Sequence, residues 1–314
     1  MNLSIIIVNW NTRDLLLQCL ESVYQSVCGM GKEVFVVDNG SIDGSLSVAR
    51  DRFPETRFIE NRKNVGFAKA NNQALVLSKG DYILLLNPDT LLKDGAIGKL
   101  LSFMETHPEA GGAGAQLLNL DGTRQNSIAN FPSLATELIH KRFLRKLFPK
   151  AFPGKEKNYS EPIEVESVIG ACMILRRDVI AQVGGLDEDY FLFMEETDWC
   201  YRMRKAGWKI YHVPGAEVYH FQGKSVGINK KHAKVEYYRS RYLFFKKNRG
   251  GFQWLALHLG LRIRLCAELF LMSLVCFLSC WAVQKWRRKL WIYAYLMWWH
   301  LRGCPGDMGM KPAK

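Results

Sequence analysis

The chain lacks paired cysteines: its 8 cysteines (Cys19, Cys28, Cys172, Cys200, Cys266, Cys276, Cys280, Cys304) form no C-x-x-C and no paired metal spacing. That excludes a zinc ribbon and a thioredoxin-like redox motif, and reduced, mostly buried thiols in a cytosolic chain are expected. With only 10 prolines in 314 residues and 48% hydrophobic residues, disorder is excluded as well. Neither G-x-x-x-x-G-K-[ST] nor G-x-G-x-x-G is present, so the chain carries neither a P-loop nor a dinucleotide fingerprint. The opening MNLSIIIVNW has no basic n-region and no small-residue cleavage site. No signal peptide is expected, and the catalytic part is expected to stay in the cytoplasm.

Acid is scarce in one region. Residues 224–314 hold 18 Lys+Arg against 3 Asp+Glu, a net of +15, whereas residues 1–223 hold 25 against 27, a net of −2. A basic tail suits nucleic acid or an anionic membrane surface. Here the basic residues border apolar runs and build no polar recognition face, which favours the membrane and argues against nucleic acid. Residues 265–284 are long enough to cross a bilayer, but they contain Glu268 and run into KWRRK, then into the aromatic LWIYAYLMWWHL. Two basic-flanked helices lying in the interface are expected; a hydrophobic hairpin docked on the rest of the protein is the alternative.

The first half reads as strands alternating with helices. Leu3–Val8 is a buried strand, and Thr12–Ser26 has helical periodicity, with Asn11 or Thr12 as its cap. Further strands are expected at Glu33–Val37, at Arg57–Glu60 and in DYILLLNPDT, with helices between them. This alternation predicts βαβ units and a parallel sheet, whose ligands bind at the carboxyl ends of the strands. Asn9, Asp38, Asn64 and Asp89 all stand just past those ends. One such stop is an ordinary turn; four on one rim suggest a site. A helix over Gly95–His107, a hairpin turning at Asp121 and Gly122, and a strand and helix in VESVIGACMILRRDVI complete the body. The basic, Pro- and Gly-bearing stretch 140–162 reads as a solvated linker, with an acceptor-binding lid as the alternative.

Three groups of residues carry chemistry. In LLLNPDT, Asn87 and Asp89 make a variant D-x-D, a strand-end carboxylate able to hold a hard divalent cation whose other positions go to phosphate and water. In NVGFAKANN, Asn64 and Gly66 precede a helix start, where N–H groups face anions. In YFLFMEETDW, Glu195, Glu196 and Asp198 crowd the first turn of a helix ending near Gly207. They either complement its dipole or, packed together in apolar surroundings, acquire the raised pKa of a general base. His220, after AEVY, is a candidate metal or diphosphate ligand or else a structural histidine.

SIIIVNWN, VVDNGSIDGS, NVGFAKANN, LLLNPDT, GGLDEDYFLFMEETDWCYRMRKAGW and HFQGKS, in this order over about the first 225 residues, resemble a family 2 glycosyltransferase of GT-A fold, most like the bacterial rhamnosyltransferase branch. The resemblance implies a Rossmann-like, mostly parallel α/β sheet flanked by helices. Together with the basic, apolar composition of the C-terminal part, it divides the chain into a catalytic domain (1–225), a hydrophobic, membrane-associating helical appendage (226–302) and a tail (303–314). It further implies that Asp38 meets the pyrimidine base, with Asn9 and Asn11 beside it and Asn64 and Gly66 along the nucleotide. Asp89 would hold Mg²⁺ or Mn²⁺ on the diphosphate, and His220 stays the candidate metal ligand read above. Glu196 would be the base in an inverting displacement, although Glu-Glu replaces the usual Glu-Asp and leaves Glu195 in contention, and Asp198 would organise the acceptor side.

The implied reaction moves a sugar, rhamnose from dTDP-rhamnose or else a hexose from a UDP donor, to a cell-envelope or lipid-linked glycan. It would take place at the cytoplasmic face of the bacterial inner membrane. A non-catalytic sugar-nucleotide scaffold would need none of these carboxylates. A nucleotidyltransferase would need a triphosphate loop near the first strand, and none is evident.

Overall fold

The computed structural model describes residues 2–27, 29, 31–149, 158–221 and 230–310. It opens with β1 (Asn2–Asn9), α1 (Arg13–Ser26), β2 (Gly31–Asp38), α2 (Ser45–Arg52), β3 (Arg57–Glu60), α3 (Phe67–Leu77) and β4 (Tyr82–Leu86). These four strands pair in parallel in the order β3-β2-β1-β4. Ile5, Ile6 and Ile7 are fully buried. An unbroken β-branched run is what a parallel strand covered on both faces requires. Helix α1 starts as expected but is not capped by Thr12, whose hydroxyl donates instead to Asn9 Oδ1 at 2.7 Å.

The chain continues through β5 (Thr90–Leu92), α4 (Ala96–Thr106), β6 (Ala110–Leu118), β7 (Ile128–Ala129), α5 (Leu134–Leu138) and α6 (Lys141–Leu147). Then follow β8 (Ile163–Val165), β9 (Ser167–Val168), β10 (Cys172–Arg176), α7 (Arg177–Val183), α8 (Glu195–Lys205) and β11 (Lys209–His220). In this half the sheet becomes mixed, because β10 inserts antiparallel between β4 and β6, and β11 pairs parallel with β6 but antiparallel with β5 and β8. The turn at Asp121 and Gly122 closes, but only a single bridge, Leu118 to Arg124, extends it. The segment expected as a linker begins with α6; residues 150–157 of it lie outside the described residues.

Two apolar clusters fill the two faces of the sheet. A third joins α9 (Lys230–Asn248), α10 (Gly251–Leu278) and α11 (Gln284–Leu301) through Val235, Phe244, Leu257, Leu261, Leu265, Leu296 and Trp299. Tyr190 belongs to this third cluster, and Ser240 Oγ donates to Leu192 O at 2.8 Å, so α9 is built into the loop before α8. Among the described residues no helix is long and apolar enough to cross a membrane. Arg262, Arg264 and Glu268 interrupt α10, and Lys285, Arg287, Arg288 and Lys289 open α11. One face of this pair packs on α9. Phe252, Ile263, Phe270, Phe277 and Trp291 on the other stay exposed.

Candidate active site

The parallel strands end on one rim, and the loops there are tied together by amides. Asn9 Nδ2, fully buried, donates to Asp38 Oδ1 (2.8 Å) and to Ser45 Oγ (2.8 Å), while Ser41 N donates to Asp38 Oδ2 (2.9 Å). Asn11 accepts from Ile42 N at 2.8 Å and adopts φ 52°. Asn39 links the next loop, donating to Asn64 Oδ1 (3.0 Å) and to Gly66 O (3.2 Å). Gly66 itself has φ 94°, and a Cβ there would stand 2.8 Å from Phe191 O. Gly66→Ala should therefore cost about 2 kcal/mol, from a strained φ and a backbone clash, read as a lowered denaturant midpoint.

Asp89 and His220 come together because β5 pairs with the end of β11, setting Thr90 opposite His220. Phe221 N donates to Asp89 O at 2.9 Å, and His220 Nε2 lies 3.4 Å from Asp89 Oδ1. The other ring nitrogen is committed. Gln125 Nε2 donates to Asn119 Oδ1 (2.9 Å) and to His220 O (2.6 Å), which leaves Gln125 Oε1 to accept from His220 Nδ1 at 3.1 Å. With its proton on Nδ1, a neutral His220 turns the Nε2 lone pair toward the carboxylate. In that form two electron-rich atoms face one space, a donor set for a cation.

The acidic cluster is presented by a strained turn: Phe193 (φ 70°) and Met194 (φ 68°) are both left-handed immediately before α8. Burial raises the pKa of Glu195 well above the ordinary carboxylate value, and the charges of Glu196 and Glu236 add to the effect. Burial raises that of Glu196 too, against the opposing backbone N–H bonds, including one from Gly170. Both glutamates keep one buried oxygen, Oε2, with no partner among the described residues. Asp89, His220, Glu195, Glu196, Asn64 and Gly66 line one cleft of about 610 Å³, a size suited to a small ligand.

The sequence model of glycosyl transferase family 2 matches residues 4–184, more than half of the chain. The chain belongs to that family. It is 31% identical to an N-acetylglucosaminyl-diphospho-decaprenol L-rhamnosyltransferase of Mycobacterium tuberculosis over 233 residues, covering 69% of this chain and 76% of the relative. It is 28% identical to the rhamnosyltransferase WbbL of Escherichia coli K12 over 166 residues, covering 50% of this chain and 61% of that one. Among solved structures, the mannosyltransferase PcManGT of Pyrobaculum calidifontis, in complex with GDP-Man and Mn²⁺, superposes with a TM-score of 0.58 at 17% identity, covering 97% of this chain and 87% of that one. At that identity the match shows the fold, a GT-A-like α/β architecture.

Two groups of residues expected at the site do not line this cleft. Asn9, Asn11 and Asp38 are absent from the cleft lining; both oxygens of Asp38 accept within the protein and the residue is 2% exposed. They tie together the loops from which Trp10 and Asn39 reach the cleft.

Asp198 is also withdrawn. Arg202 Nε and Asn248 Nδ2 each donate to it at 2.8 Å, and Tyr190 Oη at 3.4 Å, which pins α8 to α9. Asp198→Ala should cost about 3 kcal/mol by stranding a partly buried guanidinium, measured by denaturant unfolding. Sequence reading also missed Glu137 and Tyr237, which the cleft takes from α5 and α9. Of HFQGKS, residues 222–225 lie outside the described residues.

Proposed function

We propose that this glycosyltransferase moves a sugar, rhamnose from dTDP-rhamnose, onto a lipid-linked cell-envelope glycan in one inverting displacement. One observation carries the reading: a cation-suited pair, Asp89 and His220, shares a cleft with a pair of glutamates held at raised pKa. Glu196, less enclosed than Glu195, takes the proton of the acceptor hydroxyl as that oxygen attacks the anomeric carbon. Asn64, Gly66 and the face of Trp10 lie along the nucleotide, and the network of Asn9, Asn11 and Asp38 positions their loops.

The residues present fit a divalent cation. Among the described residues no group of three or more His, Cys, Asp or Glu is placed to hold a metal, so Asp89 and His220 would bind Mg²⁺ or Mn²⁺ only together with substrate oxygens. The ion would take up charge on the leaving nucleoside diphosphate. The exposed apolar face of α10 and α11, with Lys285, Arg287 and Arg288 at one end, suits an anionic bilayer surface. The face supports membrane association, and the cytoplasmic face of the bacterial inner membrane is the place proposed for the reaction.

The test is a thermal-shift screen of the detergent-solubilised protein against nucleoside diphosphate sugars, with and without Mn²⁺. Stabilisation by dTDP-rhamnose that depends on Mn²⁺ is expected. Stabilisation by a UDP-hexose instead replaces the donor, and no response to any donor favours a scaffold.

A further inference from the structure

Behind the Glu137 and Tyr237 wall of the cleft, the C-terminal helices gather more positive charge than they neutralise. Lys234, Tyr237, Tyr238 and Arg241 recur on α9 at helical spacing and share one face. The two cations flank the two rings: Lys234 Nζ lies 5.4 Å from the Tyr238 ring and 5.9 Å from that of Tyr237, and the Arg241 guanidinium 5.0 Å and 5.3 Å from the same pair. From α10, Arg264 donates to Glu268 Oε1 (3.1 Å) and to Glu137 O (3.5 Å). From α11, Lys289 lies over Tyr293, whose hydroxyl bonds Glu268.

Glu137 is paired with Arg241, and Glu268 with Arg264. Lys234 and Lys289 have no carboxylate partner among the described residues, although Lys234 is half-buried. Arg241 Nε is buried with no acceptor among the described residues. Burial lowers the Lys234 pKa, and Arg241, Arg264 and Lys289 lower it further, with Glu268 opposing. Four cations, Lys234, Arg241, Arg264 and Lys289, thus gather around two carboxylates, Glu137 and Glu268.

We propose that Lys234, Arg241, Arg264 and Lys289 bind the diphosphate that joins acceptor sugar to lipid. The site rests on the lipid-linked acceptor reading and takes that acceptor to be a lipid diphosphate, the class that the name of the Mycobacterium tuberculosis relative carries. Two cations in excess match the two anionic oxygens of a diphosphate diester. Glu137 and Tyr237 connect the site to the cleft, and the charge of Glu196 is felt at Tyr237, so a sugar on this diphosphate extends toward the base. On the other side lie the exposed Phe270 and Trp291, which give the lipid chain an apolar surface.

The probe is geranylgeranyl diphosphate, titrated into the detergent-solubilised full chain and read by tryptophan fluorescence, with geranylgeraniol and phosphatidylglycerol as controls. The unaltered protein should prefer the diphosphate to the alcohol. Lys234→Met combined with Lys289→Gln should weaken the diphosphate about tenfold and leave geranylgeraniol binding and the nucleoside diphosphate–Mn²⁺ thermal shift unchanged. Lys289→Gln alone, at an exposed position, carries the same prediction at about threefold if the double variant does not fold.

Equal diphosphate affinity in variant and unaltered protein overturns the site. Displacement of the probe by phosphatidylglycerol at equal concentration also overturns it, as a patch for any anionic lipid. The nucleotide response of the unaltered protein is a separate readout, and its absence contradicts the transferase reading, not this site.

Discussion

Glu196→Gln is expected to lower kcat about 10³-fold while leaving donor stabilisation intact. The substitution preserves the shape of the side chain and the bond from Gly170, and it removes only the ability to accept a proton. The pH profile supplies a second signature. Burial raises the Glu196 pKa, and a base acts deprotonated, so kcat/KM should fall as pH drops through a value above the ordinary 4.5 of a glutamate. In Glu196→Gln that acidic limb should vanish. A loss of donor binding equal to the loss of rate would make the residue structural.

Glu195→Gln separates the two glutamates. The raised Glu195 pKa means that the folded state holds its proton more tightly than the unfolded state. Its contribution to stability is full below the unfolded pKa and is lost as pH rises through the folded value. The variant should therefore gain thermal stability relative to the unaltered protein at pH 8 more than at pH 4, and keep kcat within about tenfold of it.

Asp89→Ala is the second large effect, a loss of about 10²–10³-fold in turnover with the response to Mn²⁺ abolished. The variant should fold, because β5 and β11 are held by backbone bonds, including Phe221 N to Asp89 O, that the substitution spares. What it removes is the hard oxygen facing His220 Nε2. Full, Mn²⁺-stimulated activity in this variant would take Asp89 out of the mechanism.

The parallel half of the sheet was legible because Leu3–Val8 and Tyr82–Leu86 are apolar without interruption, the pattern of strands covered on both faces. Strand direction was not legible: the apolar run Cys172–Arg176 buries equally well in either sense, and only tertiary pairing inserts it antiparallel. The polar strand ends pointed to the correct rim, but not to which side chains face outward. Asp38 and Asp89 look alike in sequence; one spends both oxygens on Asn9 and Ser41, and the other turns toward His220.

Asp198 is two residues from Glu196, about 200° around the helix, and so meets Arg202 and Asn248 instead of the cleft. Helix α9 was hidden for a different reason. It is buried on several sides, with no single apolar stripe, and its entry into the cleft through Tyr237 depends on packing against the loop before α8.

The measurement that bears most directly on the central claim is product analysis. The purified protein is incubated with a stabilising nucleoside diphosphate sugar, Mn²⁺ and a glycosylated lipid diphosphate. Release of nucleoside diphosphate, in step with one sugar added to the acceptor at inverted anomeric configuration, is the predicted result. Pyrophosphate release would make the protein a nucleotidyltransferase, and no turnover from a folded, donor-binding sample would make it a scaffold; either contradicts the account.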